Sequence, residues 1–266
     1  MSFALLIEAL GITPNASQHG YVIDNMLEML HWFMLVLFVG WGSFYVYTLY
    51  RFRKSKHPRA NYVGATSHLP TKIEGGVLVL EVVLLMSFAA PIWANRVDDW
   101  PAGPNVIHLQ AIGQQFAWNF HYFAPGKDNG HLILTSSNAL AVDYKNPAAT
   151  DEIMTLNEMH IPVNQPCIVD VMSRDVIHDY CVPNMRVAQD AIPGSIIPLW
   201  FVPVKEGTYD IVCAQLCGAN HALMRGTLVV ESAEKYKKWY TTALGLSKPA
   251  TADNLPAPAS TVAASH

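Results

Sequence analysis

The chain has 266 residues, of which 51% are hydrophobic and only 14% charged, and its formal net charge is −4. So little charge argues against a purely soluble protein, and a mildly acidic balance argues against nucleic acid as a partner. The four cysteines, Cys167, Cys181, Cys213 and Cys217, are too few and too unevenly spaced for a disulfide scaffold.

Residues 1–24 are expected to form an external N-terminal segment. The short apolar run from Phe3 to Ile12 has no basic residue ahead of it and contains Glu8, so it is not read as a signal peptide. From Met29 to Tyr50 there is no Asp, Glu, Lys or Arg. At about 1.5 Å per residue that stretch crosses a hydrocarbon core of roughly 30 Å. Trp32, Trp41, Tyr45, Tyr47 and Tyr50 supply interfacial anchors. A second apolar stretch runs from Gly75 to Ala94, interrupted by Glu81 and preceded by Glu74. A carboxyl inside a membrane helix is costly and faces protein or a water path. Residues 25–96 are therefore expected to form a transmembrane α-hairpin. Arg51, Arg53, Lys54, Lys56, Arg59 and Lys72 all fall between its two spans. The positive-inside rule places that connection in the cytoplasm and both termini outside.

From about residue 97 the pattern changes to short runs rich in β-branched and aromatic residues, at 106–113, 116–123, 167–173, 196–203, 209–214 and 226–231, separated by Pro, Gly and Asn. This predicts an all-β sandwich or Greek-key domain over 97–247. A C-terminal helix is expected over 233–244. The stretch 124–151 reads as loop, and the Ala/Pro-rich tail 248–266 reads as disordered.

Chemistry is concentrated in C-x-x-x-C-x-x-x-H-x-x-M, formed by Cys213, Cys217, His221 and Met224. One predicted strand runs into Cys213 and another starts after Met224, so the four donors share a single loop. His178 lies 35 positions upstream of Cys213, in RDVIHDYCVPNMRV, where a strand end is expected to enter a loop. A Cys213–Cys217 disulfide would leave His221 and Met224 unexplained. Zinc takes four donors and seldom a thioether. One copper in a blue site would use one Cys, two His and an axial Met, leaving a thiolate over. Two coppers bridged by both thiolates use every donor, with a backbone carbonyl such as that of Gln215 as the second weak axial ligand.

These residues carry a family resemblance. The chain resembles subunit II of the haem–copper cytochrome c oxidases over nearly its whole length. The family motif C-x-E-x-C-G-x-x-H-x-x-M matches residues 213–224, and D-V-x-H-x-x-x-V-P matches Asp175, Val176, His178, Val182 and Pro183, followed by Asp190 and Gly194. The resemblance implies two transmembrane helices followed by a cupredoxin-like Greek-key domain with a C-terminal helix. It implies a binuclear CuA copper centre on His178, Cys213, Cys217, His221, Met224 and the Gln215 carbonyl. It also implies electron transfer from cytochrome c to haem in subunit I, for reduction of O2 to water coupled to proton translocation. The setting would be a bacterial inner membrane with the copper domain on the periplasmic side.

Three departures qualify the match. Gln215 stands where the family has Glu, so a magnesium ion at the subunit I interface is expected to be weakly held if present. The family segment G-H-Q-W-Y-W reads here from Gly113 to Trp118, which leaves Phe116 or Trp118 for electron entry. Glu74 corresponds to the acid at the mouth of a proton path, without the Trp that follows it in the family. Cys181 is read as packing. A quinol-oxidase subunit of the same fold would lack the copper ligands, nitrous oxide reductase would lack the two-helix anchor, and a copper carrier would show Met- or His-rich stretches.

Overall fold

The computed structural model describes residues 11–60, 62–63, 66–122 and 153–247. The expected loop at 124–151, the tail at 248–266 and most of the apolar run beginning at Phe3 lie outside these residues. The chain divides into two units, Met1–Trp100 and Pro101–His266.

In the first unit, helix α1 spans Gly20–Arg51. Helix α2 spans Leu69–Leu84 and continues through a π turn, Leu85–Ala89, into α3, Ala90–Asp98. Both helical runs extend beyond the apolar stretches, because the polar residues at their ends are themselves helix-compatible. Pro70 sits in the first turn of α2, where a missing N–H costs no hydrogen bond. Pro91 follows the π turn and sits in the first turn of α3, where a missing N–H is tolerated. The most apolar 18-residue windows have mean hydropathy 1.6 and 2.2, and neither is buried within the chain. Two uncovered apolar helices of this length need lipid or another chain to take their surfaces out of water. At the end of α1 the turn folds back on itself, with the Arg53 guanidinium 4.2 Å from the Tyr50 ring centroid.

The second unit is a sandwich of two five-stranded sheets. The strands are β1 (Ile107–Gln114), β2 (Ala117–Tyr122), β3 (Ile153–Leu156), β4 (Glu158–Pro162), β5 (Cys167–Ser173), β6 (His178–Val182), β7 (Val187–Ala191), β8 (Ile197–Phe201), β9 (Gly207–Cys213) and β10 (Arg225–Glu231). One sheet has the order β3-β2-β1-β5-β8 and the other β4-β10-β9-β6-β7. The β1–β5 and β10–β4 pairs are parallel and the rest antiparallel. This is the all-β, cupredoxin-like architecture expected from the sequence. Asn157, at φ 57°, turns the chain from the first sheet into the second, a left-handed conformation that Asn tolerates. Its side chain accepts the Trp118 N–H at 2.8 Å, and its carbonyl accepts the Thr227 N–H at 2.8 Å, joining the two sheets.

The core follows from the period of two along each strand. Leu109, Ala111, Trp118, Phe120, Tyr122, Val169 and Val171 from one sheet meet Met159, Ile161, Tyr180, Val182, Ile211 and Leu228 from the other, all fully buried. Tyr180 sits edge-on to Trp118 and Phe120, with ring centroids 5.5 and 6.4 Å apart, and its hydroxyl donates to Met159 Sδ at 3.1 Å. Helix α4, Ala233–Ser247, continues from β10 and stacks Trp239 on His160 at 4.2 Å. The His160 ring lies between Glu231 (2.6 Å) and Glu158 (2.9 Å).

His121 lies on the face of β2 opposite Phe120 and Tyr122 and is fully buried. Neither ring nitrogen has a hydrogen-bond partner among the described residues. Burial lowers its pKa to about 4. The unfolded chain therefore binds a proton that the folded chain refuses, so the stability contributed by neutral His121 is complete above about pH 6.5 and is lost as pH falls towards 4. Up to about 3 kcal/mol is at stake. In a His121→Leu variant the loss of protection in β1 and β2 between pH 6.5 and 4, read by hydrogen–deuterium exchange, should be correspondingly smaller.

Candidate metal centre

Strand alternation and one register build the site. Along β6, His178, Tyr180 and Val182 point into the sandwich, while Asp179 and Cys181 point out. Tyr180 pairs with Cys213 across β6 and β9, so His178, two residues earlier, stands level with the loop that follows Cys213. The sequence placed His178 where a strand runs into a loop. The order is the reverse: the loop through Arg174 and Ile177 comes first, and His178 opens the strand. That places its ring at the mouth of the core, against Gly113. A Cβ at Gly113 would lie 2.9 Å from His178 Cδ2, so a larger residue there would push the imidazole aside.

The loop from Ala214 to Met224 is pinned at its base, where the Cys213 N–H donates to the Met224 carbonyl at 3.3 Å and the Ala214 N–H to the Asp179 carbonyl at 3.2 Å. A short 3₁₀ turn, His221–Leu223, then aims His221 and Met224 back at the cysteines. The two sulfurs, Cys213 Sγ and Cys217 Sγ, are 3.7 Å apart. That is well beyond disulfide length but within reach of two metal–thiolate bonds of about 2.3 Å to a shared ion. His178 Nδ1 lies 3.9 Å from Cys213 Sγ and His221 Nδ1 lies 3.6 Å from Cys217 Sγ. Met224 Sδ is 3.8 Å from Cys217 Sγ, and the Gln215 carbonyl is 3.2 Å from Cys213 Sγ. His178, Cys213 and Cys217 alone offer three ligand atoms within 4.8 Å of one another. All six residues named from the sequence therefore converge on one place. Two thiols, two imidazoles, a thioether and a carbonyl are a soft donor set that suits copper.

Cys213, Cys217, Met224 and His178 are buried and His221 is half-buried. Burial and the neighbouring Cys213 push the Cys217 thiol up to about 11. A metal entering the site displaces that proton.

Asp175 holds the far side of His178. Its Oδ1 is 2.8 Å from His178 Nε2 and accepts the Val176 N–H at 2.7 Å, and its Oδ2 accepts the Gln115 N–H at 2.7 Å. Burial works against its charge, but the bonds from Gln115, His178 and Val176 prevail and hold the carboxyl below its usual range. Asp190 is instead the cross-strand neighbour of Asp179, whose carboxyl is raised by burial and by Asp190. Cys181 is a half-buried free thiol on the outward side of β6. Of the two aromatics named for electron entry, Trp118 is fully buried and edge-on to His178 at 6.0 Å, whereas Phe116 is half-exposed. A Cβ on Gly218, at φ 138°, would lie 3.1 Å from the Phe116 ring and 2.8 Å from Gln115 Nε2. Phe116 therefore rests on the cysteine loop. The roles of Gly113, Gly218 and Gln115 escaped the sequence reading, because they depend on contacts between distant segments.

Replacing Asp175 by Ala frees the His178 ring to rotate. Metal affinity should fall about 10–100-fold, the usual cost of losing such a support. Competition with a copper chelator measures the loss.

Residues 107–233 match the family described as cytochrome C oxidase subunit II, periplasmic domain. The alternative cytochrome c oxidase subunit 2 of Bradyrhizobium diazoefficiens is 30% identical over 234 residues, covering 85% of this chain and 82% of that protein. Cytochrome c oxidase subunit 2 of Cereibacter sphaeroides is 28% identical over 258 residues, covering 88% of this chain and 80% of that protein. Among solved structures, the periplasmic domain of subunit II of cytochrome oxidase of Bradyrhizobium japonicum matches 53% of this chain and 94% of its own length, at 26% identity and a TM-score of 0.41. With this sequence kinship added to two long apolar helices, a cupredoxin-like sandwich and a copper-suited donor cluster, the chain belongs to the cytochrome c oxidase subunit II family.

Proposed function

We propose that this subunit receives electrons from cytochrome c, or an equivalent donor, at a binuclear copper centre and passes them to haem in subunit I, where O2 is reduced to water and protons are translocated. The observation that carries the reading is the pair of buried thiols 3.7 Å apart, one approached by His178 Nδ1 and the other by His221 Nδ1. The ligands would be His178, Cys213, Cys217, His221, Met224 and the Gln215 carbonyl. When bound, the copper pair supplies one-electron storage with little change of geometry.

The chain's own residues do the rest. Asp175 holds His178 in one orientation with Nδ1 turned inward. Burial of both cysteines and Met224 keeps water out of the donor set. Phe116, half-exposed and in contact with the loop, is the proposed point of electron entry. The fully buried Trp118 serves the core beneath His178. Leu216 and Leu223, exposed on the loop itself, offer a partner an apolar footing beside the centre. A neutral amide at Gln215 leaves any magnesium ion at the subunit I interface without a carboxylate from this position. The two apolar helices would anchor the subunit beside subunit I in a bacterial inner membrane. The basic connection between them would lie in the cytoplasm and the copper domain on the periplasmic side. Glu74, at the start of the second span, is the proposed proton-path entry.

Copper loading of the full chain in detergent tests the centre. Two coppers per chain and a seven-line mixed-valence EPR pattern are expected; a four-line mononuclear spectrum, or no uptake, would refute it. Met224→Leu should keep both coppers and shift their potential, since only a weak axial donor is lost. Phe116→Leu should slow reduction by cytochrome c while leaving the copper spectrum unchanged, as read by stopped-flow absorption.

A further inference from the structure

We propose that Gln115 is a positioning residue that ties the β1–β2 turn to the copper loop and raises the potential of the centre. The inference rests on the copper reading above. Gln115 is an exposed residue on the β1–β2 turn. Its Nε2 nevertheless donates to the Cys217 carbonyl at 2.7 Å, across 102 positions of sequence. Its own N–H donates to Asp175 Oδ2 at 2.7 Å. One residue thereby contacts both the carboxylate that orients His178 and the peptide that carries one of the two thiols. The seat for the amide is kept open by Gly218, where any Cβ would stand 2.8 Å from Gln115 Nε2. The same absent Cβ admits the Phe116 ring, so the amide and the proposed entry point share one notch in the loop.

The physical consequence is electrostatic as well as steric. The N–H dipole points its positive end at the Cys217 peptide, next to donors that are themselves buried. A positive end near the centre favours the state with the extra electron, and hydrogen bonding around a ligating cysteine is a known lever on copper potentials. Gln115→Leu removes the dipole. Gln115→Glu keeps the size but substitutes a negative charge that cannot donate to a carbonyl. The adjacent Gln114 is the control, because its Oε1 accepts from Arg174 Nη1 at 2.9 Å and makes its bond away from the loop.

The test is a spectroelectrochemical titration of the copper absorption in the assembled oxidase, with copper content and EPR hyperfine pattern measured on the same samples. Two coppers per chain should be retained throughout. The potential should fall in the order wild type, Gln115→Leu, Gln115→Glu, with Gln114→Leu at the wild-type value. Unchanged potentials in both Gln115 variants, a different order, an equal shift in Gln114→Leu, or loss of copper from Gln115→Leu would each overturn the positioning role. A wild-type oxidase whose subunit shows no binuclear signal would overturn the copper reading itself, before any variant is compared.

Discussion

The candidate centre depends on the carboxylate of Asp175. It accepts two backbone N–H groups, from Gln115 and Val176, and meets His178 Nε2 with the same oxygen that accepts from Val176. With Nε2 engaged, only Nδ1 is left to face Cys213. The geometry of a buried imidazole is thus set by an acid half outside the core, itself held by a turn between two strands of the opposite sheet. The sandwich is what makes this arrangement available. Asp175 lies in the connection from β5 to β6, where the chain leaves one sheet and enters the other, and Gln115 lies in the tight β1–β2 connection alongside it.

The rest of the domain keeps that junction stiff. Trp118 and Tyr180 fill the space behind His178 with edge-to-face contacts, and Gly113 leaves room for its ring. The cysteine loop is closed by the bond from the Cys213 N–H to the Met224 carbonyl, so its first and last donors are held in register by the β9–β10 ladder. Two thiols held this close in a buried place are costly to ionise without a metal, as the raised Cys217 thiol shows. Metal binding at this place would therefore release a proton and would stabilise the fold that presents the donors.

The helical unit obeys a different solvent. Among the described residues its apolar surfaces are not gathered into a core. A helix meets its backbone hydrogen-bond needs internally, so its apolar surface can be left to lipid or a partner. Glu81 is the exception along this surface, a carboxyl in the middle of the second span, one turn before the helix widens at Leu85–Ala89. Its cost implies a polar neighbour supplied by another chain or by water.

Local chemistry was legible in the sequence by itself. The spacing of Cys213, Cys217, His221 and Met224 determined that one loop carries four soft donors, and the charge-free run from Met29 to Tyr50 determined a membrane-length helix, because both are properties of neighbours along the chain. The strands with unbroken apolar or aromatic character were legible for the same reason. β6 was read as a strand but with its loop on the wrong side of His178, and β3, β4 and β7 were not legible, since residues such as Glu158, His160 and Asp190 interrupt the pattern and only pairing with neighbouring strands makes them sheet. Tertiary structure alone decided that Asp175 holds His178, that Trp118 lies beneath the site while Phe116 lies on it, and that Gln115 reaches Cys217. Those contacts join segments tens to a hundred residues apart, through registers and turns that sequence spacing does not encode.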